Sequence, residues 1–332
     1  MIKLVTIGIP VYKRLDYLPH VLRIVQEQDY PALELLVSDN GMNGTKVRDL
    51  VAAHYTRPFR FRQNPSTVPI SSHFNQLIAE ATGEYFVLLA DDDEISANYV
   101  SELAGALEAS PRASVAIARQ EIINEAGAVI RQSTGPRHAV LSGPDFIRAA
   151  WHTCEYRYEC FATFLARTQR LRTCGGYPEF DRGTHNDDAL LVKLCLNEQV
   201  VVNTLCAFRW RVYEMSLGWS LDIRDLAKDS RQFLTFLHSD PRLQDFAAQS
   251  PAVWKELERY LVKMTWQTYL ERWDGLYRKR LSRRAWFRAA FEMPFIPGYY
   301  AGVAVAFADA GRNAVVARAR RALRLRHDPA NQ

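Results

Sequence analysis

Along the first hundred residues, short apolar runs rich in β-branched side chains alternate with stretches whose apolar positions recur at helical spacing. That alternation predicts βαβ units and a mostly parallel sheet. Leu4 to Ile9 reads as a first buried strand. Asp16 to Gln28 reads as a helix with Leu18, Val21, Leu22 and Val25 on one face, closed by Pro31. Further strands are expected over Leu33 to Ser38 and Phe59 to Arg62, and helices over Lys46 to Tyr55 and Ser71 to Ala81. Glu84 to Ala90 is apolar on both faces, as a central strand of such a sheet must be.

Beyond Asn98 the pattern predicts a helix to about Leu107, a strand over Ser114 to Ala118 and a hairpin through Ile122 to Arg131. One helix and one strand, Cys160 to Ala166, are expected between Gly143 and Leu171. A helix over Asp187 to Asn197 and strands near Val200 and Phe208 follow. From Leu221 the pattern becomes almost wholly helical, which divides the chain into an α/β domain over residues 1–220 and a helical region over 221–332.

With 332 residues and 48% hydrophobic content, the chain can bury one large core or two ordinary ones. No repeat or low-complexity segment interrupts it. The opening residues lack the apolar region and cleavage site of a signal peptide. Five cysteines without a CxxC pair fit free thiols, and the spacing of His152, Cys154 and Cys160 matches no common zinc pattern. These features predict a cytoplasmic protein. Net charge is +5, but residues 271–332 hold 13 Lys/Arg against 5 Asp/Glu, so the basic surplus belongs to the tail.

The densest chemical signal is Asp91-Asp92-Asp93, directly after the apolar run that ends at Ala90. Ligands of open α/β sheets bind at the carboxyl ends of strands. Three adjacent carboxylates repel one another, and a hard cation such as Mg2+ or Mn2+, able to bridge to a diphosphate, would offset that repulsion. An acidic helix-capping turn is the plainer reading of the same residues.

Four segments resemble family 2 glycosyltransferases of the GT-A fold, over about residues 3–220. Val5-Thr6-Ile7-Gly8-Ile9-Pro10-Val11-Tyr12-Lys13-Arg14 is similar to the family's opening strand, and Leu35-Leu36-Val37-Ser38-Asp39-Asn40-Gly41 to its second-strand motif. Phe74 to Tyr85 resembles the segment ending in G-E-Y, and Leu88-Leu89-Ala90-Asp91-Asp92-Asp93 the metal-binding L-D-x-D-D. The resemblance implies a GT-A Rossmann-like sheet flanked by helices. It also implies an inverting, metal-dependent transfer of a sugar from a nucleoside diphosphate to a saccharide or lipid-linked glycan, as in bacterial-type surface polysaccharide assembly.

By the same resemblance Asp92 is the principal metal ligand, with Asp91 and Asp93 assisting directly or through water. Ala90 stands where the family often has its first Asp. Asp39 would accept hydrogen bonds from the donor's base or ribose, beside the backbone of Pro10, Val11 and Tyr12. Asp-Asn-Gly is also a good turn by itself. Asn64 and Asn75 are weaker donor contacts, and either could serve loop or helix-start backbone groups instead.

Gly175-Gly176-Tyr177 and Thr184-His185-Asn186-Asp187-Asp188 resemble the family's G-G-F turn and E-D-x-x-L motif, with Asp187 in place of Glu. The match makes Asp188 the catalytic base, Asp187 an orienting acid and His185 a second-rank candidate. An ordinary N-cap with acids in the first helical turn is the alternative. Tyr213 lies where inverting members often carry a His, and Arg211 could contact phosphate oxygens.

Residues 277–288 interleave cations with aromatics, and residues 295–308 are uncharged but too short to span a bilayer. The tail fits either peripheral contact with an anionic membrane or a packed subdomain with solvated arginines. No nucleic-acid reader motif accompanies it. A nucleotidyltransferase lacks its Gly-rich, basic phosphate loop here. A nucleotide-sugar-binding scaffold without turnover is the remaining alternative.

Overall fold

The computed structural model describes residues 2–133, 135, 138–152, 163–213 and 223–277. Its opening follows the expected alternation: β1 (Val5–Val11), α1 (Leu18–Gln26), β2 (Leu33–Asp39), α2 (Lys46–His54), β3 (Phe59–Gln63), α3 (Ile70–Glu80) and β4 (Tyr85–Leu88). β5 (Glu94–Ile95), α4 (Tyr99–Ala109), β6 (Ala113–Ile123), β7 (Val129–Gln132), β8 (His138–Ser142) and α5 (Gly143–Ile147) come next, then a π-helical turn over Arg148–His152. β9 (Leu165–Arg167), α6 (Thr168–Thr173), α7 (Asn186–Cys195) and β10 (Gln199–Arg211) precede three helices, α8 (Ile223–Ser239), α9 (Pro241–Gln249) and α10 (Pro251–Tyr277).

Ten strands form one sheet in the order β3-β2-β1-β4-β9-β6-β10-β5, with β7 on β6 and β8 on β10. β3, β2, β1 and β4 are mutually parallel, and β10 runs parallel to β6. β9 is antiparallel to both β4 and β6, so the sheet is mixed and its parallel character concentrates in the first half. The chain winds outward from β1 to β2 and β3, then returns to place β4 on the other side of β1. That reversal opens a crevice at the carboxyl ends of β1 and β4, the usual ligand position in such sheets.

The core explains the pattern. Val5, Ile7, Ile9 and Val11 of β1 are wholly buried, as are Leu18, Val21, Leu22 and Val25 of α1. Each such side chain contributes about 1.5–3 kcal/mol by leaving water.

Departures from the predicted elements have local causes. The expected breaks near residues 119 and 204 are absent: β6 runs on to Ile123, and β10 is continuous through a register shift between Asn203 and Ala207. Asn203 makes this bulge by accepting from the Leu205 N–H at 3.0 Å and donating to Glu102 at 3.0 Å. β5, β8 and α6 are too short, or too ordinary in pattern, to be read from sequence. The first three residues of the strand expected over Cys160 to Ala166 lie outside the described residues, as does Cys154, and its last two fall in β9; Cys174, Cys195 and Cys206 are buried free thiols.

The residues up to Leu257 form one compact unit, which includes α8 and α9, and Glu258 onward belongs to a second. Among the described residues no helix is long and apolar enough to cross a membrane. The membrane-contact and packed-subdomain readings of the basic tail concern residues that lie almost wholly outside the described ones.

Gly143, at the start of α5, shows how closely the elements approach: a Cβ there would lie 1.8 Å from the Cys195 carbonyl oxygen at the end of α7. Gly143→Ala is expected to cost about 1–3 kcal/mol and to lower Tm in a thermal melt. An unchanged Tm would show that the two segments part easily.

Candidate active site

The acidic turn leaves the sheet at the carboxyl end of β4, and its three carboxylates take separate partners. Asp91 is half-buried and receives the Tyr12 backbone N–H. Burial, and then the neighbouring Asp92 charge, push its carboxyl up to about 8 despite the nearby Arg14 guanidinium. Asp92 Oδ2 accepts from the Tyr213 hydroxyl at 2.6 Å. Asp93 is only 3% exposed and turns inward, where its Oδ1 accepts the Arg211 N–H at 2.9 Å. Burial first, then Asp92, hold the Asp93 carboxyl well above the usual range.

Among the described residues no three His, Cys, Asp or Glu side chains converge as a ready-made metal cage. Asp91 and Asp92 nevertheless suit a divalent cation: they are adjacent, half-buried hard oxygen donors whose mutual repulsion a cation would relieve. Asp93 does not suit one as placed, because its carboxylate is committed to the backbone of β10. Of the three acids, Asp91 and Asp92 lie nearer the surface and Asp93 lies inward.

Arg211 also lies inward. It is 3% exposed; Nε donates to the Asp92 carbonyl at 2.8 Å, and Nη1 to the carbonyls of Asn124 and Glu125 at 3.2 and 2.9 Å. Nη2 pairs with Glu94, and the Tyr17 ring lies 4.6 Å from the guanidinium. With four of its five N–H donors taken inside the protein, Arg211 pins the acidic turn. Glu94 also meets His20 at 2.9 Å.

The second-strand motif is similarly inward. Asp39 is wholly buried, and its carboxylate accepts from the N–H groups of Gly41 (2.8 Å) and Asn43 (3.0 Å), the Asn43 amide (2.8 Å) and Gln63 (3.3 Å). Those four donors match the roughly four lone-pair sites of a carboxylate. Asp39 therefore shapes the loop after β2. Asn64 donates to Asn40 at 2.9 Å and accepts from Arg62 at 3.0 Å, bracing the same loop. Val11 is buried and Pro10 half-buried, while the Tyr12 ring is 48% exposed at the crevice.

Helix α3 ties this side to the glycine turn. Asn75 donates to the Tyr177 carbonyl at 2.9 Å and accepts from its N–H at 2.8 Å, so its amide is a clamp. Gly176, at φ +63°, leaves no room for a Cβ, which would fall 2.2 Å from Asn75 Oδ1. Ser71 accepts from Asn186 at 2.6 Å and Ser72 donates to Glu179 at 2.9 Å.

The second acid pair opens α7. His185 sits at φ 67° just before the helix, with Nδ1 3.0 Å from Asp188 Oδ2 and Nε2 3.4 Å from Ser230 of α8. Burial, then Asp188, push the Asp187 carboxyl up to about 7. The loop before it is templated by α8: the wholly buried Asp229 accepts the Thr184 N–H at 2.8 Å and the Arg182 N–H at 3.1 Å. Sequence reasoning missed Asp229 and Ser230, which lie in an ordinary amphipathic helix and show no motif. It also passed over Arg14, although that residue stood inside a quoted motif.

The sequence model of glycosyl transferase family 2 matches residues 6–173, half of the chain. The chain belongs to that family. No curated protein matches this glycosyltransferase in sequence. In fold it is similar to S. aureus TarS, at 15% identity and TM-score 0.51 over 81% of this chain, which spans about half (54%) of that one. A shorter TarS, residues 1–349 with UDP-GlcNAc, matches at 16% identity and TM-score 0.53, covering 82% of this chain and 83% of that one. The mannosyltransferase PcManGT from Pyrobaculum calidifontis, with GDP-Man and Mn2+, matches at 17% identity and TM-score 0.51, covering 87% and 79%. The family match stops before α7, so the Asp187-Asp188 pair of this glycosyltransferase lies beyond it.

The raised carboxyls predict a pH dependence. Asp91 at about 8 and Asp187 at about 7 both lie above the ordinary 3.8. The folded protein keeps these protons where the unfolded chain has lost them. Their stabilising contribution is complete below about pH 4 and lost as pH rises through about 7 to 8. The Tm of metal-free protein should fall between about pH 4 and 8, and Asp187→Asn should flatten the part of that fall between about 4 and 7. A metal-free Tm that climbs across the same interval contradicts the assignment.

Proposed function

We propose that this glycosyltransferase moves a sugar, with inversion, from a nucleoside diphosphate to a hydroxyl of a saccharide or lipid-linked glycan, as in surface polysaccharide assembly. The observation that carries the reading is the half-buried Asp91-Asp92 pair at the crevice between β1 and β4. In the reading, Asp92 with Asp91 holds Mn2+ or Mg2+, which when bound neutralises charge on the leaving diphosphate. Similar folds have been solved with UDP-GlcNAc, and with GDP-Man and Mn2+, which supports a nucleotide-sugar donor.

Asp188 takes the acceptor hydroxyl proton as that oxygen bonds to the anomeric carbon. The bond from that carbon to the diphosphate breaks on the opposite face. His185, 3.0 Å from Asp188 Oδ2, fixes the carboxylate's orientation, and Asp229 fixes the loop that carries His185. Asp187, raised toward neutrality by burial, adds a negative charge beside Asp188 only once it ionises. Tyr12, with Pro10 and Val11 behind it, offers an exposed ring at the donor end of the crevice.

Two substitutions separate the roles. Asp92→Ala is expected to abolish Mn2+-dependent donor binding in calorimetry, and normal metal-dependent affinity in that variant refutes the ligand assignment. Asp188→Asn is expected to leave donor binding intact and lower turnover by ~10² or more. Unchanged turnover moves the base elsewhere.

A further inference from the structure

A divalent cation on the acid pair would offset part of the diphosphate charge, and an arginine beside it can offset more. The loop between β1 and α1 supplies one. The Arg14 guanidinium carbon lies 4.1 Å from the centre of the Tyr213 ring and 4.6 Å from that of Tyr17, the two rings being 5.9 Å apart. Tyr213 in turn donates its hydroxyl to Asp92 at 2.6 Å. Three distant segments, the β1–α1 loop, the end of β10 and the turn after β4, thus bring one arginine, two rings and the acid pair together.

We propose that Arg14, held against the rings of Tyr17 and Tyr213, is the side chain that grips the diphosphate of the donor nucleotide. The proposal rests on the nucleoside-diphosphate reading given above and names a residue for it.

Stacking leaves the guanidinium usable. Its N–H donors all lie in the plane of the group; Tyr17 and Asp16 each take a side-chain hydrogen bond from it, which leaves the rest of the five-donor fork for another acceptor. Among the described residues Asp16 is its one ion-pair partner, at 3.4 Å, and that carboxylate is 82% exposed. An exposed pair of this kind holds an arginine weakly. The Arg14 side chain is 35% exposed, against 3% for Arg211. A planar fork suits bidentate contact with phosphate oxygens. The position suits it too, at the carboxyl end of β1, across the crevice from the end of β4.

The test is calorimetric titration of the full chain with UDP, GDP, ADP and dTDP and their monophosphates, in Mn2+, with Tm recorded for every variant. The wild type is expected to bind at least one diphosphate more tightly than its monophosphate. Arg14→Ala should weaken that diphosphate about tenfold or more, narrow the gap to the monophosphate and leave Tm nearly unchanged. Tyr213→Phe keeps the ring and removes the hydroxyl, so the Arg14 contribution should survive in it; Tyr213→Ala should lose it. A folded Arg14→Ala protein with wild-type diphosphate affinity overturns the proposal. If the wild type binds none of the diphosphates, the donor reading itself fails and takes this proposal with it.

Discussion

Arg211 is the interaction on which the site's geometry depends. Its buried guanidinium, at the last residue of β10, holds the Asp92 carbonyl, the Asn124–Glu125 turn and Glu94, while its own N–H fixes Asp93. A buried cation with that many acceptors cannot be removed without leaving several polar groups unpaired, which is why such clusters hold one arrangement. Pinning Asp93 inward is what leaves Asp91 and Asp92 at the rim. The turn therefore separates one structural carboxylate from two that can act.

The same economy runs through the rest of the crevice. Residues that carry family motifs also fix geometry. Asp39 shapes the loop after β2, Asn64 braces it, and Asn75 clamps the glycine turn. Asn75 lies on α3, which also meets β2 through His73 and Ser38 at 2.8 Å. One helix thus couples the nucleotide side of the crevice to the loop bearing Asp187 and Asp188. Helix α8 supports that loop from beyond the family-matched residues, through Asp229 and Ser230.

Much of this was legible beforehand, and the reasons are specific. The apolar spacing of Leu18, Val21, Leu22 and Val25 placed α1 because a helix must bury one face, and all four are buried. The strand before Asp91 was readable because a central strand is apolar on both faces, as Tyr85–Leu88 is. The two strands expected near Val200 and Phe208 are one strand, because the Asn203 side chain satisfies the backbone that the bulge between them frees.

The sequence by itself determined the α/β alternation, the acidic turn after a central strand and membership of a glycosyltransferase family, because each depends on neighbours along the chain. The tertiary structure alone decided which carboxylates face outward, that Arg211 is buried and Arg14 is not, and that a helix after residue 222 holds the second acid loop. Those outcomes depend on pairings between residues far apart along the chain, such as Asp92 with Tyr213 and Thr184 with Asp229. A carboxylate's role follows from which donors reach it, and only the folded chain brings those donors to it.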